Sequence, residues 1–166
     1  MSLKDLIPGG IYIILFLQDS PPELDDFHWG LYVHTSEKIG GTKHHIQGLE
    51  NGRWIPDHGV TSGVFKSALL VGIFQVAKIP NGLESHVDQT LHSLDDQLNQ
   101  GGCSCRKWVF RILELLQKPV DGKMVLPCQD LTSLEVEVRS WGNAHAMAAA
   151  LNQQPRPIGA SKLCNT

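Results

Sequence analysis

The sequence predicts an α+β fold in which an antiparallel sheet packs against helices. Apolar and β-branched runs of strand length fill the first half of the chain, whereas apolar residues in the second half recur every three or four positions. The chain has 166 residues, of which 42% are hydrophobic and 19% charged, as is usual for a globular protein. We therefore expect a single domain over residues 1–166, with a core at about 9–117 and a C-terminal helix and tail at about 131–166.

Several segments of the first half have the pattern of strands. The run at 11–17 is apolar almost throughout, which indicates a central strand buried on both faces. In FHWGLYVH, at 27–34, the apolar side chains at every second position alternate with His28, Gly30, Tyr32 and His34, so His28 and Trp29 are predicted to point to opposite faces. Further strands are expected at 42–47, around Trp54 after an Asn-Gly turn, and at 68–80.

Three helices are predicted downstream. The spacing of leucine and valine predicts an amphipathic helix over residues 83–99. A second helix begins near Cys105 and ends at Pro119. A third runs from about residue 133 to about 151, with Thr132 or Ser133 as its N-cap. The tail beyond it is predicted to be a loop.

Composition and charge disfavour several classes of function. The formal net charge is -3 and no basic block is present, so nucleic acid is not an expected partner. The apolar run at 11–17 is too short to span a bilayer and lacks the features of a signal peptide, so we expect no stable membrane anchoring. The four cysteines do not suggest a disulfide framework, which favours a cytoplasmic protein with reduced thiols. No cofactor is indicated, and the oligomeric state stays open.

A cysteine at the predicted start of the second helix is a candidate nucleophile. The N–H groups at a helix N-terminus favour a thiolate and can stabilise an oxyanion after the thiolate attacks a carbonyl. Cys105 shares the apolar stripe of this helix, whereas Cys103 precedes it in a Gly-rich loop. Cys105 is therefore the better candidate, and it is predicted to alkylate below pH 8. A buried cysteine that acts only as a small hydrophobic residue is the alternative.

A cysteine nucleophile needs a base, and histidines on the predicted hairpin can supply one. His28 lies on one strand and His44 and His45 lie on the next. Side chains on one face of paired strands are about 5 Å apart, so one of the latter two must share a face with His28. The pattern predicts a Cys-His-His triad, with Cys105 and His28 within about 3 to 4 Å of each other.

The order of these motifs resembles the permuted branch of the NlpC/P60 superfamily, which includes the lecithin retinol acyltransferase-like proteins. The shared features are the His-Trp strand, the second histidine after Gly-Thr, and CRKWV, a Cys-x-x-aromatic-Val helix start. A group of small fungal proteins with this pattern is also similar. The resemblance implies a papain-like core with Cys105 as nucleophile, His28 as general base and His45 as the second histidine. It also implies thiol hydrolysis or acyl transfer on an amide or ester through a thioester, with a small-molecule or peptide substrate.

Two other functions stay open at this stage. The same fold can serve as a catalytically silent ligand-binding or interaction module. A zinc site of Cys103, Cys105, His44 and His45 is disfavoured, because neighbouring strand residues point to opposite faces, and no metal is predicted.

Other aromatic and histidine residues carry weaker expectations. Trp29 and Trp108 are candidate substrate-binding residues. The remaining histidines are predicted to lie on the surface or on helix faces, and these are His34, His58, His86, His92 and His145.

Overall fold

The computed structural model describes residues 2–164. Six strands form one sheet and three helices cover one of its faces. The strands are β1 (Gly10–Leu17), β2 (Phe27–Ser36), β3 (Gly40–Gly48), β4 (Trp54–Thr61), β5 (Leu70–Lys78) and β6 (Ile158–Ala160). The helices are α1 (Glu84–His92), α2 (Cys105–Leu116) and α3 (Leu131–Ala150). The α+β class predicted from the sequence is confirmed.

The sheet has the order β4-β3-β2-β1-β5-β6, so β1 is central. All of its residues except Phe16 are buried, because helices cover one face and the segments around Leu6 and Val64 cover the other. β4 is an edge strand, and for that reason it can accommodate Pro56, which has no N–H for a further neighbour.

The sheet is mixed rather than purely antiparallel. Strands β1 to β5 pair antiparallel, but β6 lies parallel to β5 with Phe74 opposite Gly159. The tail was predicted to be a loop, and this prediction is wrong. A strand of three residues has no periodicity of its own, and its pairing depends on the position of the chain after α3.

Three helix boundaries differ from the prediction, and one of them is the end of α2, at Leu116 rather than Pro119. α1 ends at His92, and a separate 3-10 turn follows at Asp95–Gln97. The Ser93 hydroxyl and the Ser93 N–H both donate to the Thr90 carbonyl, at 2.7 Å and 3.1 Å, which tightens and ends the helix. α3 begins earlier than predicted, because Asp130 rather than Thr132 or Ser133 is the N-cap and accepts the Ser133 N–H at 3.0 Å.

The turn between β2 and β3 fixes the register of the hairpin. Gly40 has φ +89°, and a Cβ at this position would lie 2.1 Å from the Thr61 carbonyl oxygen. No other residue fits there without moving the backbone. The resulting register places Leu31 opposite His44, and this pairing decides which histidines share a face.

None of the helices in the described part of the chain is both long and apolar enough to cross a membrane.

Candidate functional site

The hairpin brings His28 and His45 together. His28 Nε2 lies 2.9 Å from His45 Nδ1, and the ring centroids are 5.2 Å apart in an edge-on arrangement. Both rings lie on the face of the sheet opposite α2, since Leu31 and His44 form the pair on the helix side. The sequence therefore left a choice between His44 and His45 that the strand register resolves in favour of His45.

A carboxylate that sequence reasoning missed completes this group. β4 places Asp57 directly opposite His45. His45 Nε2 lies 2.9 Å from Asp57 Oδ2, which is an ion-pair distance, although the angle between the two groups is not that of a hydrogen bond. The signal that could have found it is the Asn51-Gly52 turn. Counting outward from this turn along both strands makes residues 45 and 57 partners.

The carboxylate orders the protons along the two rings. A proton on His45 Nε2 is favoured beside the Asp57 oxygen, which leaves His45 Nδ1 as an acceptor. His28 Nε2–H then donates to His45 Nδ1. By elimination, the basic lone pair of His28 is on Nδ1, and this atom has no hydrogen-bond partner among the described residues.

Burial keeps both imidazoles neutral. Desolvation lowers the pKa of His28 from its ordinary value, the charge of Lys43 adds to this, and Asp57 acts in the opposite direction. Desolvation also lowers the pKa of His45 to about 4, although Asp57 partly offsets the effect. A neutral His28 is the form that can accept a proton at pH 7.

Cys105 is the first residue of α2, as predicted. The Ser104 side chain caps the helix by accepting the Lys107 N–H at 3.2 Å. Cys105 is 9% exposed. It lines a cavity of about 440 Å³ together with His28, His45, Asp57 and others, and the remaining lining residues are Gln18, Ile46, Gln47, Gly48 and Trp54. β2 and β3 no longer pair with each other beyond Leu31 and His44, and most of these residues come from the two strand ends that separate there.

The thiol and the imidazole share the cavity without a hydrogen bond between them. None of the described side chains is hydrogen-bonded to the Cys105 sulfur, His28 included. The separation of about 3 to 4 Å between the two groups stays a prediction. His28 points to the sheet face opposite α2, whereas Cys105 begins the helix that packs on the other face.

The two predicted substrate-binding tryptophans lie elsewhere. Trp29 and Trp108 are each 1% exposed and belong to the core between the sheet and the helices, and neither lines the cavity that Cys105 and His28 share. Trp29 packs edge-on against Phe110 with centroids 5.6 Å apart. Strand alternation already placed Trp29 opposite His28, so the core position follows from the same pattern. Trp54 lines the cavity instead.

Cys103 has a different environment from Cys105. It is half-buried in the loop before α2, and burial raises the pKa of its thiol, partly countered by Arg111. All four cysteines are free.

The zinc set considered from the sequence does not assemble, because His44 and His45 point to opposite faces. A different set does: His44, His58 and His92 form a group that can hold a metal ion. Burial, together with the charges of the neighbouring histidines, lowers the pKa of His44 to about 3. The surface positions predicted for His34 and His58 are wrong, since His34 is buried and bonded to Tyr32 at 3.0 Å and His58 contacts His44 at 2.9 Å.

The fold and the site define an α+β protein in which a helix-start cysteine and a His-His-Asp array line one cavity. The chain belongs to the family of unknown function DUF6914, whose model matches residues 10–156. No curated protein matches it. No solved structure matches it either.

Proposed function

We propose that this protein is a thiol hydrolase or acyltransferase that acts on an amide or ester, with a core related to the permuted NlpC/P60 proteins. The observation that carries the proposal is the array Asp57–His45–His28, whose three residues line a cavity that Cys105 also lines. A nucleophile, a base and an orienting group in one cavity are the requirements of thiol acyl transfer.

The mechanism follows from the proton positions. His28 Nδ1 accepts the Cys105 proton while His45 and Asp57 hold the ring and stabilise the imidazolium. The thiolate attacks the substrate carbonyl, and a C–S bond forms as the C–N or C–O bond breaks. His28 returns the proton to the leaving amine or alcohol. Water or an acceptor then attacks the thioester, with His28 as base, and the thiol is regenerated.

The oxyanion of each tetrahedral intermediate needs donors. The N–H of Cys105 at the start of α2 is one of them. Gln18 lines the same cavity, and its side-chain amide is the second donor in this proposal. One of its N–H groups donates to Asp26 Oδ1 at 2.7 Å, which orients the amide and leaves the other N–H for the substrate.

The proposal requires Cys105 and His28 to approach each other when substrate binds. Catalytic hydrogen bonds are often long before substrate is present and tighten in the complex. The cavity supplies the space, and a second cavity of about 400 Å³ also has Gln18, His28 and His45 in its wall. A small-molecule or peptide substrate spanning the two would contact all three. The four free thiols fit a reducing, cytoplasmic location.

Non-covalent ligand binding in the same cavity is the second candidate function. The observation that favours it is the missing hydrogen bond between the Cys105 thiol and His28. In this case the cavity would bind its ligand equally well without the thiol.

Activity and thiol labelling of matched variants test the proposal. We expect turnover of an ester or amide panel to fall by about 10⁴-fold in Cys105→Ser and by about 10²–10⁴-fold in His28→Gln. Cys103→Ser, the matched control, retains most activity. Iodoacetamide below pH 8 labels Cys105 in the wild type, and the rate falls in His28→Gln because the base is lost. Absence of both turnover and Cys105 labelling, with ligand binding retained in Cys105→Ser, would establish the binding function instead.

A further inference from the structure

A second group of histidines lies on the helix side of the sheet. His44 comes from β3, His58 lies directly opposite it on β4, and His92 is the last residue of α1. One ring nitrogen of each lies within 4.8 Å of those of the other two. The Nδ1 atoms of His44 and His58 are 2.9 Å apart, and the ring centroids of His58 and His92 are 4.2 Å apart.

Partners outside the group fix two of the rings. His58 Nε2 lies 2.9 Å from Asp95 Oδ1 and 3.1 Å from Oδ2, and His92 Nδ1 lies 2.8 Å from the Asp88 carbonyl oxygen. Both partners are acceptors, so each ring carries its proton on the outer nitrogen and presents a lone pair from the other nitrogen. Histidines that ligate metals nearly always have such an acceptor on the nitrogen remote from the ion.

We propose that His44, His58 and His92 bind a divalent transition-metal ion of the Zn²⁺ type, with Asp95 as the outer partner of His58. Ligand nitrogens about 2.0–2.1 Å from a tetrahedral ion are about 3.3 Å from each other. The observed separations, 2.9 Å for the closest pair and at most 4.8 Å, bracket this value, so modest side-chain rotations complete the geometry.

Binding requires one change of tautomer. With its proton on the Asp95 side, His58 accepts the Nδ1–H of His44 through its own Nδ1. When the ion binds both Nδ1 atoms, the His44 proton is carried on Nε2 instead, and no net proton is released.

Three protein ligands leave one tetrahedral position for water or a substrate atom. His44 also lines a cavity of about 480 Å³, whose wall includes Thr42 and Asp88. The ion would thus have access to small molecules, unlike a structural ion enclosed by four side chains.

This site is independent of the proposed thiol chemistry. His44 and His45 are neighbours on β3 and point to opposite faces of the sheet, so the two groups of residues share no side chain. Side chains of either group can therefore be substituted without changing the side chains of the other group.

Zn²⁺ competition against a chromophoric chelator, with the purified full chain, tests the inference. We expect one ion per chain and a loss of affinity of about 10–100-fold in Asp95→Asn, with larger losses in His58→Ala and His92→Ala. His86→Ala is the control, because His86 lies on the same helix outside the group. His92 is exposed, so its replacement leaves folding unchanged. The Co²⁺ adduct should show tetrahedral absorption without a thiolate charge-transfer band.

Two results would overturn the assignment. The first is Zn²⁺ affinity that is equal in His92→Ala, His58→Ala and the His86→Ala control. The second is loss of binding, or appearance of the thiolate band, that depends on Cys103 or Cys105. Neither result bears on ester or amide turnover, so failure here and failure of the proposed thiol chemistry are distinguishable.

Discussion

At the scale of single residues, two charges of opposite sign act on the proposed base. Lys43 lowers the pKa of His28 and Asp57 raises it, while burial provides the largest effect. Lys43 comes from β3, the strand next to β2, and Asp57 comes from β4, one strand further out. Neither side chain is hydrogen-bonded to the Cys105 thiol. Their removal therefore tests the electrostatics of the site separately from its nucleophile.

We predict opposite shifts in two variants. Lys43→Gln removes a positive charge, so the pKa of His28 rises and the acidic limb of kcat/KM moves to higher pH. Asp57→Asn removes a negative charge, so the pKa of His28 falls and the limb moves to lower pH. In the wild type the pKa of His28 lies below its ordinary value of about 6.5, so the ring is still neutral at a pH just below that value. NMR titration of the His28 ring checks both signs even in an inactive chain, and shifts in the same direction would contradict this account.

The sequence was sufficient to identify the candidate nucleophile and the two histidines, but not the residue whose role depends on strand pairing. Cys105, His28 and His45 could be selected because a thiol at a helix start and paired strand histidines are typical of catalysis. Asp57 was missed because its role depends on the β3–β4 register. The pattern alone also did not establish on which face of the sheet α2 lies, and this face decides how Cys105 approaches His28.

At the scale of elements, α3 approaches β1 unusually closely at Gly142. A Cβ at this position would lie 2.6 Å from Leu15 Cδ1 and 3.0 Å from Phe27 Cζ. Leu15 and Phe27 are both buried and have little freedom to move. Glycine has a low helix propensity, but at position 142 the absence of a Cβ allows the close contact between the helix and the sheet.

We predict that Gly142→Ala destabilises the protein, although alanine is favoured over glycine in a helix by about 1 kcal/mol. Overpacking opposes this gain and should produce a net loss of about 1–2 kcal/mol in the free energy of unfolding. Ser140→Ala, on the exposed side of the same helix, is the control and should be neutral or slightly stabilising. Urea denaturation of both variants measures the difference, and a more stable Gly142→Ala would show that the core can yield.

Elements with strong periodicity could be predicted, and those set by their surroundings could not. The strands β1, β2, β3 and β5 and the helix α2 follow from runs and spacings in the sequence. The early end of α1 results from the Ser93 and Thr90 hydrogen bonds, and β6 exists because β5 has a free edge beside the chain that follows α3. Neither cause can be recognised from the hydrophobic pattern of the segment concerned.

At the scale of the whole molecule, one buried arginine joins distant parts of the chain. Arg156 is 2% exposed. Its Nε donates to the Leu70 carbonyl at 2.6 Å, and its Nη2 donates to those of Ala68 at 3.0 Å and Ala149 at 3.3 Å. Its Nη1 donates to the Gln153 carbonyl. The guanidinium therefore links the end of α3 and the return of the chain to the beginning of β5.

We predict that Arg156→Met lowers the free energy of unfolding by about 3 kcal/mol or more, since several buried carbonyls lose their donors. Arg156→Lys should restore little, because a single ammonium cannot replace a planar fork of donors. Arg53→Met removes an exposed arginine and is the matched control. Denaturant unfolding of the three variants provides the comparison. A loss below about 0.5 kcal/mol, the range of ordinary surface substitutions, would show that water replaces these bonds.

Gly40, at the start of β3, influences which mutations the two histidine groups can tolerate during evolution. Side chains alternate along a strand, so a slip of one residue between β2 and β3 would send His44 to the cavity face and His45 to the helix face. Gly40 opposes a slip that would bring Ile39 to its place, because no larger residue fits its backbone conformation against Thr61. Deletions in the preceding turn would damage both histidine groups at once, whereas point substitutions can erode either one alone. The two histidine groups therefore depend on the same strand register, although the residues of each group can be substituted separately.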